Sequence, residues 1–159
     1  CAGEGACCPA RREGREPVKF WDSSALIPLL VDEPRSRTIR SLAEDDGSLA
    51  AWWSTPVECA SAFARLRREG GLTIEEEEAL RASLASLAGA WTEIEPTAEV
   101  RRVAGRILFV HPLRAADSLQ LAAALVWSGR DGTGHEFVCL DGRLRLAARK
   151  EGFAVLPVE

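Results

Sequence analysis

From Val18 onward, short apolar runs alternate with stretches of helical periodicity, and this alternation points to α/β architecture with a largely parallel sheet. The run Val18–Trp21 reads as a first strand ending at Asp22, and Ser24–Val31 as a short helix. A second helix starts at Pro34 and runs towards Ala43, the Asp45-Asp46-Gly47 turn follows, and Ser48–Trp53 forms the second strand. Thr55 at the N-cap, Pro56 at the first helical position and Glu58 three residues after the cap spell a capping box, opening a helix that ends at Gly70-Gly71. Thr73 caps the next helix, whose first turn holds Glu75–Glu78, favourably placed against the helix dipole. Trp91–Ile94 is a brief strand, and Thr97 caps a helix through about Phe109, broken by His111-Pro112. Ala115–Trp127 is strongly helical, with Leu119, Ala122, Ala123 and Val126 on one face. A loop over 129–134, a strand Glu136–Leu140, a helix Arg143–Glu151 and a last strand Phe153–Leu156 complete the chain.

At 159 residues this pattern fits one domain, because two cores would each be too small. Residues 1–17 stand apart: they are rich in Gly, Ala, Arg and Glu, with almost no large apolar side chain to offset the entropy of ordering. The sequence has no methionine. The expectation is therefore a disordered or non-native extension over 1–17, a domain over 18–159, and a natural start at Val18. No apolar run approaches the roughly 20 residues that span a bilayer, and no hydrophobic segment follows the early arginines, so the cytoplasm is the expected compartment.

A net charge of −4 argues against coating nucleic acid by bulk attraction. Lys19 and Lys150 are the sole lysines; the other basic residues are arginines, a bias that codon usage alone can produce. The five cysteines form no C-x-x-C, and His111 and His135 are not spaced like zinc ligands, so Cys59 and Cys139 read as buried free thiols.

The acids are more informative. In open α/β sheets ligands gather beyond the carboxyl ends of the strands. Asp22 and Asp141 each end a strand, Glu58 sits in the first turn after the second strand, and Asp117 begins a helix after the proline-broken connection. Carboxylates gathered there repel unless a cation sits among them, and oxygen-only donors suit Mg²⁺ or Mn²⁺. Such ions support in-line phosphodiester cleavage without a Ser, Cys or His nucleophile. Each acid also has a plain structural reading: Glu58 as the return partner of its capping box, Asp117 as a dipole partner, Asp141-Gly142 as a turn. Asp22, between Trp21 and an apolar helix, is the least ordinary.

Four stretches carry a resemblance. Phe20-Trp21-Asp22-Ser23-Ser24-Ala25-Leu26, then Thr55-Pro56-Val57-Glu58-Cys59-Ala60-Ser61-Ala62, then Leu113-Arg114-Ala115-Ala116-Asp117-Ser118-Leu119-Gln120-Leu121-Ala122-Ala123-Ala124, then Leu140-Asp141-Gly142-Arg143-Leu144 resemble the successive motifs of PIN-domain proteins, in family order and spacing over 18–158. The third and fourth look most like the VapC branch, the toxin ribonucleases of type II toxin–antitoxin pairs. The resemblance implies a PIN-like three-layer α/β fold, a central mostly parallel sheet flanked by helices, and metal-dependent endoribonuclease activity. Carried over by position, Asp22, Glu58, Asp117 and Asp141 would coordinate Mg²⁺ or Mn²⁺ and position the attacking water, with Ser24 supporting them by hydrogen bonding. A homodimer and a cognate antitoxin filling the groove are the implied partners, alongside RNA. One position departs from the pattern. Relatives often carry Thr or Ser two residues before the fourth acid, where this chain has Cys139, a weaker donor that is expected to soften support of Asp141.

Basic side chains near the acids, Arg114, Arg143 and Arg145, are candidates for holding RNA, and Arg65, Arg67 and Arg68 lie further along the Glu58 helix. Trp52 and Trp53 end the second strand; one is expected to pack inward by strand alternation, leaving the other to stack on a base. Other readings stay open: a PIN nuclease of RNA processing without an antitoxin, or a catalytically silent PIN binding module. A receiver domain also gathers acids at strand ends, but neither Lys19 nor Lys150 is placed as its lysine would be.

Overall fold

Both faces of the inner strands are covered, which is why they read as largely apolar runs. In β1 (Lys19–Trp21) the side chains of Phe20 and Trp21 enter opposite cores. The same division holds for Ala50 and Ala51 of β2 (Leu49–Trp52) and for Phe137 and Val138 of β4 (Glu136–Val138). The computed structural model describes residues 18–158; the expectations for residues 1–17 lie outside the described residues.

With β3 (Thr92–Ile94) and β5 (Ala154–Leu156), these strands form one five-stranded parallel sheet in the order β3-β2-β1-β4-β5. Register is set by pairs such as Trp21 with Ala51 and with Val138. One face is covered by α1 (Ser23–Leu30), α2 (Ser36–Glu44), α3 (Thr55–Arg68) and α4 (Ile74–Ala88), the other by α5 (Ala98–Val110), α6 (Ala115–Trp127) and α7 (Gly142–Lys150). The α/β architecture with a parallel sheet is what the alternation implied, and its three layers are what the PIN resemblance implied. Among the described residues no helix is long and apolar enough to cross a membrane.

Several boundaries differ from the sequence reading, for local reasons. The second helix begins at Ser36 rather than Pro34, because the Ser36 hydroxyl accepts from the Glu33 amide and donates to the Val31 carbonyl, bridging the turn before it. The β4 strand stops at Val138 instead of Leu140, since the Leu140 amide leaves the ladder and donates to the Ser24 hydroxyl at 2.9 Å. The turn acid Asp46 is buried and accepts from the Trp21 indole at 2.8 Å and the Lys19 amide at 3.2 Å, tying the start of β1 to the loop before β2.

Because β1 pairs with β2 on one side and β4 on the other, the chain reverses its direction of winding between β1 and β4. The crevice beyond the carboxyl ends of those two strands is the topological switch point, the usual ligand position in such sheets. Asp22 lies on one side of it and the segment 139–141 on the other.

Candidate active site at the switch point

Asp22 leaves β1 with its amide on the Val138 carbonyl at 3.0 Å and becomes the N-cap of α1. Its Oδ2 accepts from the Ser24 amide at 3.0 Å and from the Ser24 hydroxyl, and the Cys139 thiol approaches the same oxygen at 3.6 Å. The side chain is 3% exposed. Burial pushes its carboxyl up to about 6; the Ser24 hydrogen bonds pull the other way, while the charge of Glu58 adds to the rise. A buried acid facing a second acid is a position that a cation would relieve.

Glu58 projects from the first turn of α3 and is held by three donors, from α1, from α6 and from the turn before α3. Ser23 Oγ at 2.8 Å and Gln120 Nε2 at 3.0 Å reach its Oε2, and Ser54 Oγ at 2.7 Å reaches its Oε1. The capping box expected here does not form. The helix starts at Thr55 with Ser54 before it, Thr55 is buried with its hydroxyl accepting from Gln120 at 3.2 Å, and the Glu58 carboxylate turns toward the crevice instead of back to the backbone. The ordinary structural reading of Glu58 is thereby removed.

Asp117 and Asp141 are placed differently. Asp117 Oδ2 accepts from the Arg114 amide at 3.2 Å, and Asp141 Oδ1 accepts from the Arg143 and Leu144 amides at 3.0 and 2.9 Å, so each engages one oxygen at a helix start. Asp117 lies one turn before Gln120 on the same face of α6, the face that reaches Glu58. Asp141 follows Cys139, whose thiol touches Asp22. Among the described residues no three His, Cys, Asp or Glu side chains are grouped closely enough to hold a metal ion. Asp22 and Glu58 are thus brought together, and Asp117 and Asp141 stand around them with their carboxylates turned to their own helices. The carboxylates of Asp22 and Glu58 are oxygen donors, the type that suits a small hard cation.

Cys139 supports a different acid from the one expected. Its Sγ lies 3.6 Å from Asp22 Oδ2 and 3.7 Å from Ser24 Oγ, while toward Asp141 it meets the backbone carbonyl at 3.7 Å. Its thiol is pushed far up by burial and by the nearby Asp22 charge, so it stays protonated. Cys59, also buried, is pushed up to about 12. The expectation of two buried free thiols holds.

The chain is 30% identical over 144 residues to ribonuclease VapC45 of Mycobacterium tuberculosis, an alignment spanning 90% of this chain and 97% of the relative. The chain belongs to the VapC ribonuclease family. Among solved structures, FitAcB from Neisseria gonorrhoeae superposes with a TM-score of 0.62 at 18% identity, covering 88% of this chain and 97% of that one. A toxin–antitoxin complex from Klebsiella pneumoniae gives 0.54 at 15% identity over 77% and 86%. No family model matches the chain. At these identities the structural matches speak for the fold, and the sequence match for the VapC family.

On this VapC-family scaffold the basic candidates separate. Arg114 and Arg143 are exposed beside Asp117 and Asp141. Arg145 is not available to RNA: it is 2% exposed, and its guanidinium donates to the carbonyls of Cys139 at 2.6 Å, Leu156 at 3.0 Å and Pro157 at 2.7 Å. The Leu156 carbonyl also accepts the Cys139 amide at 3.1 Å, so Arg145 adds a second donor there while supplying one to the Cys139 and Pro157 carbonyls beyond the strand ends. Arg67 is engaged with Glu77, whose carboxyl is held low first by the Arg81 hydrogen bonds and then by Arg67. Trp52 packs in the core and Trp53 is 50% exposed, the division that strand alternation implied.

Residues missed by sequence reading complete the Glu58 environment: Gln120, Ser23 and Ser54. Gln120 carried a signal, being a large polar side chain inside the apolar run Leu119–Ala124 and one turn from Asp117.

Proposed function

We propose that this chain is a divalent-metal-dependent endoribonuclease acting as the toxin of a toxin–antitoxin pair in the cytoplasm. The observation that carries the reading is that Ser23, the residue after Asp22, holds Glu58 at the switch point, with Ser54 and Gln120 as its further donors. Its VapC relative is named a ribonuclease, which supports RNA as the substrate. The Klebsiella neighbour, a toxin–antitoxin complex, supports a protein antitoxin as partner, and the chain is expected to act as a homodimer.

Asp22, Glu58, Asp117 and Asp141 are the residues that would hold Mg²⁺ or Mn²⁺. When bound, such an ion neutralises charge on the phosphodiester and lowers the pKa of water enough for attack at neutral pH. The chain's own part is placement. Ser24 and Cys139 fix the Asp22 carboxylate, and the three donors on Glu58 fix the second acid. Arg114, exposed at the start of α6, offers a guanidinium at the rim to a substrate phosphate.

Incubation of the purified chain with total RNA in Mg²⁺, in Mn²⁺ and in chelator, with fragment ends mapped, tests this reading. Cleavage with either ion that is lost in chelator and in Asp117→Asn is expected. RNA left intact under every ion would refute the nuclease, and cleavage that persists in chelator would refute the role of the metal.

A further inference from the structure

Beside the acid pair lies a cleft of about 320 Å³ lined by Trp52, Trp53, Ser54, Pro96, Arg101 and Leu119. We propose that this cleft is a nucleobase subsite, which takes one unstacked base of single-stranded RNA and its adjoining phosphate next to the scissile bond. The inference rests on the ribonuclease reading above and specifies how such a substrate would be gripped.

Position comes first. The wall residue Ser54 is the same residue whose hydroxyl holds Glu58 Oε1 at 2.7 Å, and Leu119 adjoins Gln120, which holds Oε2. The cleft and the acids therefore share a boundary, at the carboxyl edge of the sheet where the loops after β2 and β3 meet α6.

Chemistry comes second. Trp53 is half exposed and meets the buried Trp52 ring edge-on, with centroids 6.5 Å apart and planes at 69°. Trp52 thus props a large aromatic surface that solvent reaches, which is costly for a monomer to display and suited to stacking on a base. The Trp52 Nε1–H is buried without an acceptor among the described residues. Arg101 supplies the charge. Its neighbours in α5 are neutralised, Arg102 by Glu99 and Arg106 by Glu151, while the exposed Arg101 guanidinium has no ion pair or hydrogen bond among the described residues. An aromatic plate with an uncommitted guanidinium matches a base followed by a phosphate better than it matches an apolar peptide, which would leave the cation unanswered. Stacking is tolerant of base identity, so the cleft supplies grip and position rather than a complete sequence code.

Fluorescence anisotropy of labelled short single-stranded RNAs, the homopolymers of A, C and U and an abasic ribose-phosphate chain of equal length, tests the subsite in chelator, where nothing is cut. Trp53→Ala is expected to weaken the best base-bearing oligomer on the order of tenfold, to leave the abasic chain unaffected, and to be largely rescued by Trp53→Phe. Arg101→Gln should weaken both kinds of oligomer. Because Trp53 and Arg101 are surface residues, thermal midpoints close to the parent's are expected. Equal effects of Trp53→Ala on base-bearing and abasic chains, or no effect on either, would overturn the proposal. So would loss of affinity for a co-purifying antitoxin with RNA binding intact, which assigns the cleft to protein. Failure of the ribonuclease reading shows separately, as uncut RNA in Mg²⁺ and Mn²⁺ while this binding pattern persists.

Discussion

The Gln120 carboxamide and the Glu58 carboxylate, 62 residues apart in the chain, meet at 3.0 Å. The contact joins α6 to α3 across the end of the sheet and brings the Asp117 face of α6 to the acid pair. Gln120 is 1% exposed, its Nε2 also reaches Thr55, and its Oε1 has no partner among the described residues. Exchanging the amide atoms would set Oε1 against a carboxylate oxygen, so the donor must face Glu58.

Gln120→Leu should separate function from stability. The variant removes a buried oxygen without a partner and also deprives Glu58 and Thr55 of a donor, opposing effects that leave stability within about 1 kcal/mol. RNA cleavage should fall about 10- to 100-fold, the usual cost of losing a group that orients a ligating side chain. Thermal melting and cleavage rates on one RNA measure both. A large loss of stability with unchanged activity would make Gln120 a packing residue.

Arg145 and Arg114 should respond oppositely. Arg145→Leu removes the guanidinium donor from the carbonyls of Cys139 and Pro157 and one of the two donors on Leu156, and should cost about 3 kcal/mol or more in chemical denaturation. Arg114→Gln should leave stability unchanged, weaken RNA binding and reduce the slope of log affinity against log salt by about one.

Glu151 gives a pH signature far from the acids. Burial raises its carboxyl, but hydrogen bonds from Arg106 and His111, both at 2.8 Å, outweigh it and hold the group below its ordinary value of 4.5. The folded state then binds its proton less readily than the unfolded chain, so this contribution is complete above about pH 4.5 and is lost as pH falls below it. Glu151→Gln should lower stability at pH 7 on the order of 1 kcal/mol and flatten the acid-side decline. Parallel curves for parent and variant between pH 3 and 5 would contradict this.

The two buried thiols should be inert. Both are driven up by desolvation first and by neighbouring carboxylates second, and the thiolate is the reactive form. Alkylation of the native protein followed by peptide mapping should leave Cys59 and Cys139 unmodified until denaturant is added. Fast labelling of Cys139 in the native state would mean that the Asp22 side of the crevice opens to solvent.

Sequence legibility varied with how local the cause was. The bounds of α6 and the caps at Thr73 and Thr97 were readable, because helix periodicity and side-chain caps act within a few residues. The parallel sheet was readable from alternation. What escaped depended on the third dimension. Arg145 sits in a run, Arg143-Leu144-Arg145-Leu146, that reads as a solvated face, yet Leu146 is exposed and Arg145 buried because strand-end carboxyl-edge carbonyls lie beneath it. Glu58 matched a capping box in spacing alone; its true partners come from α1, the turn before α3 and α6. Cys139 was paired by sequence proximity with Asp141, but the β1–β4 register brings its thiol to Asp22.

The most direct test of the account is Mn²⁺ binding to the purified chain, followed by isothermal titration for the parent, Asp22→Asn and Glu58→Gln. A divalent site centred on Asp22 and Glu58 requires that the parent bind Mn²⁺ and that each variant lose most of that affinity while melting as a folded protein. Equal Mn²⁺ affinity in all three proteins would contradict it.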